Sequence, residues 1–300
     1  MAINNVALLG ANGNLGASIL EALVAAGDFR VTVVKRQSSS STIPGNVRVV
    51  TVDDELSLES LKAAFAGEDA VVTCFPLKDV SQHLRIADAA AATGVRRAIP
   101  ADFGSCDSSS PRALELVPLF KSKVAVRERL QELAAANPEF SWTSLVSGHF
   151  FDWGLRANFL HFDLKNKTAD ILGDGTLKSS TSTLHRISEA VLKVLRLEEQ
   201  TKNKMLFMQS FCVSQLDVLA ALEKATGSKW DAEHLDAEEF IAEHKAKAEA
   251  GDSDSIEHLV FALGALDGDW EARDGFSMDL LGLKNEDLDI IVQQVVDSET

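Results

Sequence analysis

The feature that most constrains the fold is the opening stretch NNVALLGANGNLGASILEALVAAG, where an unbroken apolar run over residues 6–9 passes through three glycines into a segment of helical period. Unbroken hydrophobicity marks a strand buried on both faces, and such strands belong to parallel sheets covered by helices on either side. Runs of the same kind recur at 31–34, 47–52, 70–75 and 97–100, alternating with stretches of helical period. Right-handed crossovers then predict an α/β fold, a doubly wound parallel sheet. A helix over 119–136 and a strand over 142–146 extend the pattern.

After residue 151 the rhythm changes. ADILGDGTLKSSTSTL reads as a hairpin around Gly173, Asp174 and Gly175, and a helix follows over 186–197. Residues 204–209 read as a strand returning to the sheet, and the tail from 217 onward is helical and acidic. The expected organisation is a dinucleotide-binding domain over 1–152 and a smaller, mostly helical substrate lobe over 153–300. The two are interleaved, with residues 181–210 returning to the first domain and a ligand pocket between the lobes.

Composition excludes several classes of partner. A formal net charge of -16 argues against nucleic acid and anionic membrane, both of which attract basic surfaces. The three cysteines, Cys74, Cys106 and Cys212, have no paired spacing, so neither a disulfide framework nor a zinc site is expected. Cys106, in FGSCDSSS, reads as an inert surface thiol. The histidines show no metal-ligand spacing and no metal is expected. The start lacks a secretory signal pattern and no apolar run is long enough to span a bilayer, which makes the cytoplasm the expected location. A homodimer is one assembly open to the chain.

Gly10, Gly13 and Gly16 follow a buried strand and open an amphipathic helix, the context in which a glycine loop holds a dinucleotide pyrophosphate. Asn12, Asn14 and Leu15 belong to the same loop. At the end of the second strand, VTVVKRQSSSS offers no carboxylate for a ribose 2′-hydroxyl. Lys35 and Arg36 suit a 2′-phosphate instead, so NADPH/NADP+ is expected over NAD. Asp53 is a candidate for the adenine amino group, or equally a helix N-terminal carboxylate. Phe75 and Pro76 after the fourth strand, and Asp102 and Phe103 after the fifth, complete the predicted cofactor surroundings.

The sequence contains no tyrosine, so the tyrosine–lysine proton donor common among short-chain dehydrogenases is excluded. The helix LFKSKVAVRERL carries Lys121 and Lys123, and helical spacing puts Lys123 on the face of Phe120 while Lys121 points elsewhere. A lysine whose pKa is lowered by burial or a neighbouring cation serves as general acid or base. His149, Phe150, Phe151 and Trp153 follow the last predicted strand of the sheet, where open α/β sheets place ligands. They are candidates to contact a planar aromatic substrate, or to pack between the lobes.

The glycine loop, RAIPADFG (97–104), the lysine helix and SGHFFDWGL (147–155), in this order, resemble the NmrA-like, isoflavone-reductase-like family of atypical short-chain dehydrogenases over nearly the whole chain. The details are closer to its fungal than its plant members. The resemblance implies a Rossmann-like fold and hydride transfer from NADPH to a small aromatic or enone-like substrate of secondary metabolism. It places the catalytic lysine of an FxxKxxVR pattern on Lys123, with Phe120, Val126 and Arg127 in register. Ala101 stands where relatives often have serine, and Leu184-His185-Arg186-Ile187 where they often have an aspartate-containing stretch. Two other functions fit the same residues: an NADP-sensing regulator without turnover, and a redox-neutral enzyme that retains the dinucleotide.

Overall fold

The computed structural model of the chain describes residues 2–299. They form two compact units, the first holding the chain up to Phe103 together with Leu119–Leu145 and Ile187–Leu206, the second Gly104–Pro118, Val146–Arg186 and the chain from Phe207.

The first unit is built on β1 (Asn5–Leu9), β2 (Arg30–Arg36), β3 (Arg48–Val52), β4 (Ala70–Thr73), β5 (Arg97–Ile99) and β6 (Ser141–Val146), with Lys204–Phe207 as a seventh strand. The order across the sheet is Lys204–Phe207, β6, β5, β4, β1, β2, β3, and β1 to β6 pair in parallel. All residues of β4 and β6 are buried, as expected for strands covered on both faces. Helices α1 (Asn14–Ala26), α2 (Leu58–Phe65) and α3 (Val80–Ala92) make the crossovers, and the Pro118–Ala136 helix leads into β6. Strand order reverses between β1 and β4. The crevice at the carboxyl ends of those two strands is the topological switch point where sheets of this kind bind ligands.

Local chemistry fixes the helix starts. The Ser57 side chain accepts from the Ser60 N–H at the start of α2, and Asp79 accepts from the Ser81 N–H at the start of α3. By contrast α1 has Gly13 at its N-cap and so no side-chain cap, which leaves its first N–H groups for another acceptor. At the opposite edge of the sheet Arg97, wholly buried, donates to Ser141 Oγ at 3.0 Å, to Thr143 Oγ1 and Thr201 Oγ1 at 2.9 Å each, and to the Glu198 carbonyl at 2.5 Å. Burial lowers its pKa to about 10. One side chain thus ties β5 to β6 and to the segment that leads into the seventh strand.

The second unit holds two three-stranded sheets besides its helices. One contains His149–Phe150, Lys178–Ser182 and Phe211–Ser214; the other contains Phe162–Asp163, Thr168–Leu172 and Asp231–Leu235. The hairpin expected around Gly173–Gly175 does not form. Thr168–Leu172 pairs in parallel with Asp231–Leu235 over five residues, while Lys178–Ser182 pairs with Phe211–Ser214. Partners distant in sequence take the place of the local pairing, over five residue pairs in one sheet and four in the other. Cys106, expected at the surface, is buried at 2% exposure: its loop folds inward despite its polar sequence. No described helix is long and apolar enough to cross a membrane.

Candidate functional site

β1, β2, β4 and β5 run in parallel, so their carboxyl ends, and the residues that follow them, lie along one edge of the sheet. Gly10 ends β1 with φ at +85°, and a Cβ there would stand 2.8 Å from the Cys74 carbonyl carbon after β4. Only glycine allows this turn and this approach. At Gly16 a Cβ would fall 2.0 Å from the Gly10 oxygen, so α1 packs on the loop through the absence of a side chain. Gly13 differs: an added Cβ meets protein atoms no nearer than 3.5 Å. Packing therefore accounts for Gly10 and Gly16 and leaves Gly13 unaccounted for.

A cavity of about 120 Å³ opens beside the loop, lined by Gly10, Asn12, Lys35, Arg36, Ser39 and Phe75 among others. Lys35 Nζ donates to the Ser41 carbonyl at 3.1 Å, while Arg36 is exposed. Ser38 is held from outside: its N–H and Oγ both donate to Asp54 Oδ1, at 2.9 and 2.7 Å. Gly13, Asn14, Leu15, Gly16 and Pro76 are not part of the lining, and neither is Asp53. The Asp53 carboxylate accepts from the Ser57 N–H at 2.9 Å and from Ser57 Oγ at 2.5 Å, and these bonds lower its pKa. It serves the start of α2. The cavity also includes Ile43 and Leu56, which sequence reasoning missed because neither carries a chemical signature.

After β5 the chain reaches Asp102 and Phe103, both buried. Lys123, from the Pro118–Ala136 helix, places its Nζ on the Asp102 carbonyl oxygen and 3.8 Å from Asp102 Oδ1. Its side chain is 10% exposed, and Nζ lies 5.5 Å from the centre of the Phe120 ring. Lys121, two residues away, is exposed. Arg127 on the next turn and Ser144 on β6 both donate to Asp102 Oδ2. Lys123 and Asp102 border a small cavity with Leu77, Pro100, Ala101 and Val126. Two cationic side chains therefore converge on one buried carboxylate at the sheet edge that also carries the glycine loop.

The four aromatic candidates of the second unit do not converge. His149 and Phe151 turn into that unit, where both border a cavity of about 30 Å³ with Leu160, Phe162, Thr181 and Phe261. The His149 ring stacks on Phe261 and fills the space over Gly264, where a Cβ would fall 2.2 Å from Nε2. Burial lowers its pKa to about 4. Phe150 and Trp153 are half-buried, Trp153 against Phe159. Arg186, singled out in the sequence, donates to the Lys284 carbonyl at 2.7 Å, beside Glu286. His161, His258 and His244 form a cluster: His161 Nε2 is 3.0 Å from His258 Nδ1 with the two rings edge to face, and the tilted His258 and His244 rings lie 4.1 Å apart. Among the described residues no group of three or more potential ligands is placed to hold a metal ion.

A reversing parallel sheet with a glycine loop at its switch point defines a Rossmann-like protein. The chain belongs to the NmrA-like family, which matches residues 3–269. It is 32% identical over 295 residues to the oxidoreductase aprR of Aspergillus flavus, covering 97% of this chain and 98% of that protein. Its fold is similar to the crystal structure of isoflavone reductase, with a TM-score of 0.77, 19% identity and coverage of 98% and 99% of the two chains. It is likewise similar to leucoanthocyanidin reductase from Vitis vinifera in its binary complex with NADPH, with a TM-score of 0.77, 14% identity and coverage of 98% and 100%.

Proposed function

We propose that this protein is an NADPH-dependent reductase of small aromatic or enone-like substrates, with Lys123 as its general acid or base. The observation that carries the reading is the largely buried Lys123 side chain, its Nζ anchored on the Asp102 carbonyl at the carboxyl edge of the sheet. A lysine kept from solvent and fixed in direction is suited to move a proton rather than to solvate a surface.

The residues present fit a dinucleotide. Gly13, glycine without a packing reason, would let a phosphate approach the backbone, and the uncapped start of α1 would supply N–H donors to it. Lys35 and Arg36, with Ser39 and Ser41, would hold a 2′-phosphate in the cavity that they line. NADPH bound there supplies a hydride from its nicotinamide C4. Lys123 would donate a proton from Nζ to the substrate oxygen that gains charge as hydride arrives, while the Asp102 carbonyl keeps Nζ in place. Phe150 and Trp153, both half-buried, are the two of the four aromatic candidates exposed enough to meet a ligand. The NADPH complex of leucoanthocyanidin reductase and the oxidoreductase of Aspergillus flavus support the same reading.

The test is titration of the purified protein with NADPH, NADP+, NADH and NAD+, followed by NADPH oxidation with a panel of enones, quinones and phenolic ethers. Tight NADPH binding with oxidation by a panel member is the expected result. Binding without turnover removes the reductase and leaves a sensor or a redox-neutral enzyme; absence of binding removes the cofactor as well.

A further inference from the structure

Leu56 stands in the loop between β3 and α2 with φ at +52°, a left-handed conformation that leucine rarely adopts unless its surroundings impose it. It is buried, at 3% exposure, and lines the cavity beside the glycine loop. Arg85, on α3, holds it there. Nε donates to the Leu56 carbonyl at 2.9 Å, Nη2 to the Glu55 carbonyl at 2.6 Å and Nη1 to Ser81 Oγ at 3.0 Å. A rigid planar fork of donors suits two successive carbonyls in a way that a point charge does not. The same helix braces a second wall of the cavity, since the His83 ring lies 4.4 Å from the ring of Phe75. Neither Arg85 nor His83 lines the cavity itself.

We propose that Arg85 is a positioning residue for the dinucleotide, acting through Leu56 to set the cavity wall against the adenosine half of the cofactor. This rests on the reading of the cavity as the site of NADPH, with Lys35 and Arg36 at its 2′-phosphate. The guanidinium fixes the carbonyls, the carbonyls fix the backbone turn, and the turn presents the leucine side chain to the nucleotide. Loss of the clasp lets Leu56 relax toward negative φ and opens the wall without touching the reaction centre.

The test uses NADPH and adenosine 2′,5′-bisphosphate, titrated against wild type, R85M, R85K, L56G and the double variant R85M/L56G, with circular dichroism to check folding. R85M is expected to weaken both ligands about 10-fold, the loss of about 1.4 kcal/mol of binding. In the L56G background, where glycine needs no clasp, R85M is expected to cause little further loss. If R85M does not fold, R85K is read instead: weaker binding of both ligands supports the proposal, and wild-type affinity overturns it. Wild-type affinity in folded R85M also overturns it, as does a full 10-fold effect that persists in the L56G background, which would show that Arg85 acts by another route. Failure of the wild type to bind either ligand removes the cofactor reading and the proposal together, whereas wild-type binding with an unaffected R85M removes the proposal alone.

Discussion

Arg127 Nη1 lies 2.5 Å from Asp102 Oδ2, and the two side chains are only 7% and 2% exposed. Ser144 donates to the same oxygen, while Asp102 Oδ1 is buried without a hydrogen-bond partner among the described residues and lies 3.8 Å from Lys123 Nζ. Taking the carboxylate away from a buried guanidinium costs about 3–5 kcal/mol, because the cation cannot recover its hydration. Urea unfolding of D102N should show a loss of that order. The D102N/R127M double variant, which removes both charges, should recover part of it. A wild-type midpoint for D102N would mean that the pair contributes nothing to stability.

Lys123 should separate binding from chemistry. K123A is expected to lower turnover about 100-fold, the usual scale for a general acid or base, with NADPH affinity close to that of the wild type. The check is a comparison of steady-state rates with direct fluorescence titration. Turnover at the wild-type rate would end the assignment.

Arg36 should decide between cofactors. It is exposed at the end of β2 and lines the cavity, so R36A should weaken NADPH by about 10-fold or more, the loss of one charge-assisted contact, while barely affecting NADH. Equal losses for the two nucleotides would place Arg36 away from the 2′-phosphate.

Two glycines of the same loop should behave in opposite ways. G16A puts a Cβ 2.0 Å from the Gly10 oxygen, an overlap that the backbone must relieve by moving, and it should destabilise the protein by about 3 kcal/mol or more, at the upper end of overpacking costs. G13A meets nothing nearer than 3.5 Å and should fold normally while binding NADPH poorly. Thermal melts and nucleotide titration of the two variants test this together; a G13A protein that binds as tightly as wild type would show that Gly13 does not face the phosphates.

Acid should destabilise the fold before its carboxylates titrate. Burial lowers the pKa of His83 and of His149 from 6.5 to about 4, and lowers those of His161 and His244 as well. Between pH 6.5 and about 4 the unfolded chain binds these protons and the folded one does not, so stability falls as pH falls. Glu68, whose pKa burial raises, works with the opposite sign above pH 4.5 and offsets part of the effect. Urea midpoints should drop from pH 7 to about 5, the acid side of free histidine, with a smaller drop in H149L. No drop in the wild type would mean that these rings are not the groups that take up protons on unfolding.

Much of the sheet was legible because most of its strands carry short apolar runs, such as 6–9, 31–34 and 70–72, that alternate with helical periods, a pattern with few alternatives. The glycine loop was legible for a similar reason: a strand, three glycines and a helix in succession leave little freedom. The hairpin at 173–175 was not, since strand pairing there is decided by residues 211–214 and 231–235, which no local window contains. Asp53 is a comparable case. A carboxylate after a strand suits a ligand or a helix start equally, and only the position of Ser57 shows what this one bonds.

The sequence by itself determined the parallel sheet, the loop that ends its first strand, the absence of a tyrosine proton donor and which lysine shares a face with Phe120. These follow from residue type and period, which are local. Only the tertiary structure decided that Lys123 rests on Asp102, that Arg127 and Ser144 share its carboxylate, that His149 turns inward over Gly264 and that Arg85 clasps the loop of Leu56. Each of these joins a side chain to a group on a separate element. Burial there makes every unmatched charge or donor costly, and the partner that satisfies it is chosen by packing in space rather than by distance along the chain.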